Sequence, residues 1–319
     1  MKRRSFLAAL LATCASPAWA DELKMLEVDC PERAFEETRK ALAAMKTPDP
    51  VDDNQFITQS RAWLGGPELD RSGPDWRLAH GVPLKIFGSG SRGVVMHIHG
   101  GGWICGNAQS DHKLCQALAD RAGVTVASVD YRLAPEFPYP VPIEDCLRAA
   151  EWLAAHSREQ FGTDRLAVTG CSAGAQLAAM TMLKLGRRFR AAALYYGVFD
   201  LGLTPFARMA RDEDHPDLTT SALARMIGWF TPGLRREQRQ VASISPLYAP
   251  TPELPDTLLL VGGGDILVDD SLQLARRWAE RNHVELALYP GAPHGFNGYD
   301  VPGVEDSLDR VVEFFGSRW

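Results

Sequence analysis

The sequence predicts an α/β domain built on a doubly wound, mostly parallel sheet, and three observations predict it. Strand-like and helix-like runs alternate regularly from residue 82 onward, the pattern of helices laid on both faces of one sheet. The strand-like runs are continuous apolar stretches, as strands buried on both faces require. Glycine clusters follow several of them, where the chain must turn from strand to helix.

Taken in order, Asp75 to Phe87 precedes the first long run and reads as antiparallel edge strands. Val94 to Ile98, Val124 to Val129, Leu166 to Thr169, Ala191 to Tyr196, Thr257 to Val261 and Val284 to Tyr289 are the expected central strands. Apolar residues recur at helical spacing in Ser110 to Ala122, Glu144 to Phe161, Ala173 to Leu185, Asp269 to Asn282 and Val304 to Phe315, so these are the expected helices. Two segments stand outside the alternation. Glu32 to Met45 reads as an amphipathic helix followed by a Pro/Asp-rich stretch, Thr47 to Asp53, and Phe206 to Thr231 is a helical, charge-mixed insertion.

The chain has 319 residues, 45% of them hydrophobic, which suits one large core. We expect a signal peptide over residues 1–20 and a single domain over 21–319. Met1 to Ala20 has a basic start, the apolar stretch Phe6 to Ala15 and the small-residue site Ala18-Trp19-Ala20, the signature of a cleaved leader. It is too short to span a bilayer, so no stable membrane anchor is expected. Arg3-Arg4-Ser5-Phe6-Leu7 matches a twin-arginine signal, and the expected location is periplasmic or secreted. The formal net charge is -6, and it becomes more negative when Lys2, Arg3 and Arg4 leave with the leader. No Lys/Arg run remains to hold a polyanion, which argues against nucleic acid as a partner. Cleavage leaves Cys30, Cys105, Cys115, Cys146 and Cys171, an odd number with neither redox nor zinc spacing. Buried thiols without bridges are the simpler reading.

Chemistry enters with Gly170-Cys171-Ser172-Ala173-Gly174, which follows an apolar run and opens a small-residue helix. That context fits a nucleophile elbow, a turn so tight that glycines must flank the serine and leave its hydroxyl exposed. Upstream, His99-Gly100-Gly101-Gly102-Trp103 follows the Val94 to Ile98 strand. Successive glycines let backbone N–H groups turn outward and approach a substrate closely, as oxyanion stabilisation requires. Gly264-Asp265 after one strand and Pro293-His294-Gly295 after the last add an acid and a base. The chain order Ser172, Asp265, His294 is that of α/β-hydrolases.

With HGGGW at 99–103, Tyr131-Arg132-Leu133-Ala134-Pro135-Glu136, GCSAG at 170–174, Asp265-Ile266-Leu267-Val268-Asp269 and His294-Gly295-Phe296, the chain resembles the hormone-sensitive-lipase group of α/β-hydrolase carboxylesterases. Cys171 departs from the Asp or Thr usual before the nucleophile. The resemblance implies an α/β-hydrolase fold with a helical cap from about residues 21–60 and 200–245, and a serine carboxylesterase acting on short-chain acyl esters. Ser172, Asp265 and His294 would be catalytic, the N–H groups of Gly101, Gly102 and Ala173 would form the oxyanion hole, and no cofactor or metal is implied. Trp103 is a candidate for substrate binding, or else packs behind the glycine loop. His97, His99, Asp130 to Glu136 and Glu144-Asp145 are expected to be structural. Asp269 and Asp270 stand where a helix starts and are expected to cap it. An arylformamidase or related amidase is the alternative on the same triad. A non-catalytic small-molecule receptor is the other rival, and the retained His294 speaks against it.

Overall fold

The computed structural model of the protein describes residues 23–28, 35–44, 52–65 and 69–319. The leader and Cys30 therefore lie outside the described residues. The described chain runs β1 (Leu23–Leu26), α1 (Glu36–Ala44), α2 (Asp53–Gly65), β2 (Trp76–Ala79), β3 (Val82–Phe87), β4 (Val94–Ile98), α3 (His112–Ala122), β5 (Thr125–Val129), α4 (Val141–Phe161), β6 (Leu166–Cys171) and α5 (Ala173–Leu185). It continues through β7 (Ala191–Tyr195), α6 (Pro205–Met209), α7 (Thr220–Phe230), α8 (Arg236–Arg239), β8 (Asp256–Gly262), α9 (Val268–Trp278), β9 (Val284–Tyr289) and α10 (Pro302–Gly316).

Among the described residues one nine-stranded sheet forms the centre, in the order β1-β9-β8-β7-β6-β4-β5-β3-β2. Only the β2–β3 and β3–β5 pairs are antiparallel; the rest are parallel. β4, β5, β6 and β7 are buried along their whole length, which is why they read as unbroken apolar runs. α3 packs with α10 and α4 packs with α5. The register aligns Ile98 with Gly170, and Cys171 with Tyr195. The carboxyl ends of β4, β6 and β7 therefore lie side by side, and the loops leaving them share one edge, the usual place for a site in such sheets.

Every expected central strand and helix is present, with ends unchanged, as for Val94–Ile98 and Ala173–Leu185, or moved by up to a few residues. The short helix α8 was not anticipated, nor were two further elements. β1 adds a parallel strand to β9 at the sheet edge, but its pattern of partial exposure gives no clear period. α2 has no fully buried residue, although its Phe56, Ile57 and Leu64 pack partly buried against the core; its start is fixed locally, by Asp52 Oδ1 accepting the Gln55 N–H at 2.8 Å. In the insertion, Thr219 Oγ1 caps α7 by accepting the Ala222 N–H at 3.1 Å.

α2 and α7 meet. Arg225 pairs with Asp53 at 2.8 Å, its guanidinium lies 4.5 Å from the Phe56 ring centroid, and Phe56 stands 5.3 Å from Trp229. Cys105, Cys115, Cys146 and Cys171 are buried, unpaired thiols. Among the described residues no helix is long and apolar enough to cross a membrane.

Candidate active site

The turn between β6 and α5 places Ser172 at φ 56°, ψ −120°, a strained conformation for a residue with a side chain. The flanking glycines are there for space. A Cβ on Gly174 would stand 2.0 Å from the Ile98 carbonyl oxygen, and one on Gly170 would stand 2.5 Å from that of Gly174. α5 can thus press against the end of β4, and the Ser172 hydroxyl stands clear of the turn. The Ser172 N–H donates to the Tyr195 carbonyl at 2.9 Å, which fixes the turn against β7.

His294, on the loop after β9, brings Nε2 to 2.9 Å from Ser172 Oγ. Its Nδ1 lies 2.8 Å from Asp265 Oδ2, and because a carboxylate only accepts, Nδ1 carries the proton and Nε2 is free to accept from the serine. Asp265 is fully buried, and its Oδ1 accepts the Leu267 N–H at 2.8 Å. Burial works against a charged His294, but the Asp265 charge and hydrogen bond, together with Asp217, outweigh it and raise the imidazole above its ordinary value.

Gly101 and Gly102 follow β4 at φ 105° and 57°, left-handed conformations that favour glycine. Among the described residues, no group accepts a hydrogen bond from either amide. Ala173 opens α5, where a helix leaves its first N–H groups without internal partners. The loop is braced from below. The Tyr131 hydroxyl donates to the His99 carbonyl at 3.0 Å, Ala134 N–H to Trp103 O at 2.9 Å, and Arg132 binds the buried Asp145 at 2.8 Å. From α2, Arg61 donates to the carbonyls of Ile104 and Ala134 at 2.9 and 3.1 Å and pairs with Glu136. Asp130 accepts the Ala108 N–H at 3.1 Å.

Several expectations change. Trp103 has no exposed surface; its indole N–H donates to Gln176 at 3.0 Å and its ring stacks on Phe230 at 4.6 Å. It therefore offers nothing for a substrate to touch, and packs behind the loop. Asp269 and Asp270 do not cap α9, whose N-cap Leu267 makes no side-chain bond. Asp270 instead accepts the N–H groups of Phe199 and Asp200 at 2.7 and 2.8 Å, and Asp269 accepts from Gln273 at 2.8 Å. His97 and His99 are satisfied at one nitrogen each, by Asp111 at 2.8 Å and by the Gly100 carbonyl at 2.8 Å; His97 Nδ1 and His99 Nε2 are buried without a partner among the described residues.

Other groups near the base were not visible in the sequence. Tyr196 stands edge-on to His294 at 4.8 Å and donates its hydroxyl to Asn297, whose amide reaches Cys171 Sγ at 3.6 Å. Asp217 accepts the backbone N–H of His294. Met226 on α7 and Leu64 on α2 crowd the glycine loop: a Cβ on Gly102 would meet Met226 Sδ at 2.2 Å, and one on Gly101 would meet Leu64 Cδ2 at 2.8 Å. No cluster of metal-ligating side chains is present among the described residues.

Residues 95–298 match the family defined by the α/β-hydrolase fold. The chain is 34% identical to the esterase LipI of Mycobacterium tuberculosis over 230 residues, covering 68% of this chain and 70% of that protein. It is 28% identical over 309 residues to the ethyl acetate hydrolase of Pseudomonas putida, 90% and 89% of the two chains. A solved hormone-sensitive lipase from a metagenome library superposes with a TM-score of 0.77 at 26% identity, over 92% of this chain and 99% of that one.

Proposed function

Because this chain belongs to the α/β-hydrolase fold family, in its hormone-sensitive-lipase group, and is a carboxylic ester hydrolase with a Ser-Asp-His triad, we propose that it cleaves short-chain acyl esters through an acyl-enzyme on Ser172. The unbroken path from Ser172 Oγ through His294 to Asp265, at 2.9 and 2.8 Å, carries this reading. Ser172 Oγ attacks the acyl carbon while His294 Nε2 takes its proton. The carbonyl oxygen gains the charge and is received by the N–H groups of Gly101, Gly102 and Ala173. When the tetrahedral intermediate collapses, His294 gives its proton to the departing alcohol oxygen. Water then attacks the acyl-enzyme by the same route, and the carboxylic acid leaves. Asp265 holds the productive tautomer and stabilises the imidazolium.

The preference for short acyl groups is supported by Met226 and Leu64, whose side chains stand directly against the glycine loop. It is supported also by the ethyl acetate hydrolase among the relatives. The amidase alternative is not favoured, since the relatives are named as an esterase and an ethyl acetate hydrolase.

Treatment with an organophosphate followed by intact-mass and peptide mass spectrometry is expected to show one adduct, at Ser172, with loss of aryl acetate hydrolysis. No adduct, or an adduct at another serine, overturns the mechanism. Rates on aryl esters of rising acyl length are expected to fall beyond short chains. The leader motif further supports export to the periplasm or beyond by the twin-arginine route.

A further inference from the structure

We propose that His215 and Asp217, in the insertion between β7 and β8, are positioning residues that clamp the loop of the triad acid to the loop of the triad base. The inference rests on the esterase reading above and assigns it two further residues. His215 is buried, and its Nδ1–H donates to the Gly264 carbonyl at 2.9 Å, one residue before Asp265. Two residues on, Asp217 Oδ2 accepts the backbone N–H of His294 itself. One short stretch therefore holds both partners of the central hydrogen bond of the triad, from outside the sheet that carries them.

The stretch is itself anchored. Asp212 Oδ1 accepts the Thr220 N–H at 2.9 Å, its Oδ2 accepts the Ser221 hydroxyl at 2.5 Å, and its carbonyl accepts the His215 N–H at 3.2 Å. The two ends of segment 212–221 are thus tied together, which fixes His215 and Asp217 between them. The two triad loops also meet directly, the Gly264 N–H donating to the Ala292 carbonyl at 2.9 Å, and the insertion adds a second tie from outside the sheet.

Asp217 also brings charge. The groups facing His294 are Asp265 from the β8 loop, Asp217 from the insertion, Tyr196 from the end of β7 and Ser172 from the elbow; Tyr299 is influenced by both carboxylates. Burial, and then the neighbouring Asp265 charge, lift the Asp217 carboxyl above its usual range, and Asp217 in turn helps to raise His294. His294 must be neutral to accept the serine proton, so a lowered imidazole value moves the acid limb of kcat/KM to lower pH.

Two variants separate the hydrogen bond from the charge. Asp217→Asn keeps a side-chain oxygen for the His294 N–H and loses only the charge; its acid limb is expected about 0.3 unit or more below that of wild type, with plateau kcat within about threefold. Asp217→Leu loses both, and its kcat on an aryl acetate is expected to fall about tenfold or more while KM stays within about threefold, as for a lost near-attack geometry. Melting temperatures establish that each variant is folded, and if the Leu variant is not, the pH profile of the Asn variant decides. An Asn variant whose acid limb coincides with wild type overturns the proposal, and so does a folded Leu variant with wild-type kcat. A wild-type protein that hydrolyses no ester would instead overturn the functional reading, since both variants are compared with an active parent.

Discussion

Asp265 accepts from His294 with one oxygen and from the Leu267 N–H with the other, so the two demands on it can be separated. In Asp265→Asn the amide oxygen can keep the backbone bond while the NH2 faces Nδ1, which favours the tautomer with the proton on Nε2. That imidazole cannot accept from Ser172, and turnover is expected to fall by about three to four decades with melting close to wild type. Asp269→Asn is expected to keep most of its activity, because Asp269 bonds Gln273 and stands apart from His294. Reversal of the two outcomes in a kcat assay would move the acid assignment. Cys171 is buried beside the nucleophile and turned toward Asn297, and burial pushes its thiol well above the ordinary range. A protonated thiol facing away from the substrate has no chemical part to play. Cys171→Ala is expected to hold kcat/KM within about tenfold, roughly 1.4 kcal/mol of barrier, and a loss comparable to that of Ser172→Ala would refute this.

At the scale of elements, α9 is bound to the segment after β7 through a fully buried carboxylate. Asp270 accepts from the N–H groups of Phe199 and Asp200 and from the Thr204 hydroxyl at 3.2 Å, and Thr204 starts α6, where the insertion begins. Asp270→Ala strands three buried donors, each costing about 1 to 3 kcal/mol. Urea unfolding is expected to show a loss of about 3 kcal/mol or more; an unchanged midpoint would mean that these donors find other partners. The sequence hid this role because a carboxylate at a helix start ordinarily reads as a cap, and its actual acceptor function depends on a loop that only the tertiary fold brings near. α2 was hidden for a different reason. Its apolar residues packed on the core, Phe56, Ile57 and Leu64, are few and set among polar ones, and it reaches the glycine loop through Arg61 and Leu64, contacts that local spacing does not announce.

For the whole molecule, the motif over residues 1–20 leads us to expect a mature chain beginning at Asp21. N-terminal sequencing or intact mass of the active protein from its native host checks this, and an intact Met1 on that protein would refute it. The sheet explains how a site can assemble from such distant parts of the chain. Parallel register brings the ends of β4 and β6 together at Ile98 and Gly170, while β8 and β9 carry the acid and base loops side by side. A helical layer, α2 and α7, then meets the glycine loop through Leu64 and Met226.

By itself the sequence determined whatever local chemistry imposes. Continuous apolar runs marked strands buried on both faces, and the elbow was legible because its tight turn demands glycine at 170 and 174. The triad was legible because the order of its loops follows the order of the strands. The tertiary structure alone decided matters that depend on which segments meet. Trp103 proved to be a packing residue because Phe230 and Gln176 enclose it, and Asp217 reached His294 because segment 212–221 is tied at its ends. A side chain's partner across the fold is set by the packing of whole elements, which no local spacing encodes.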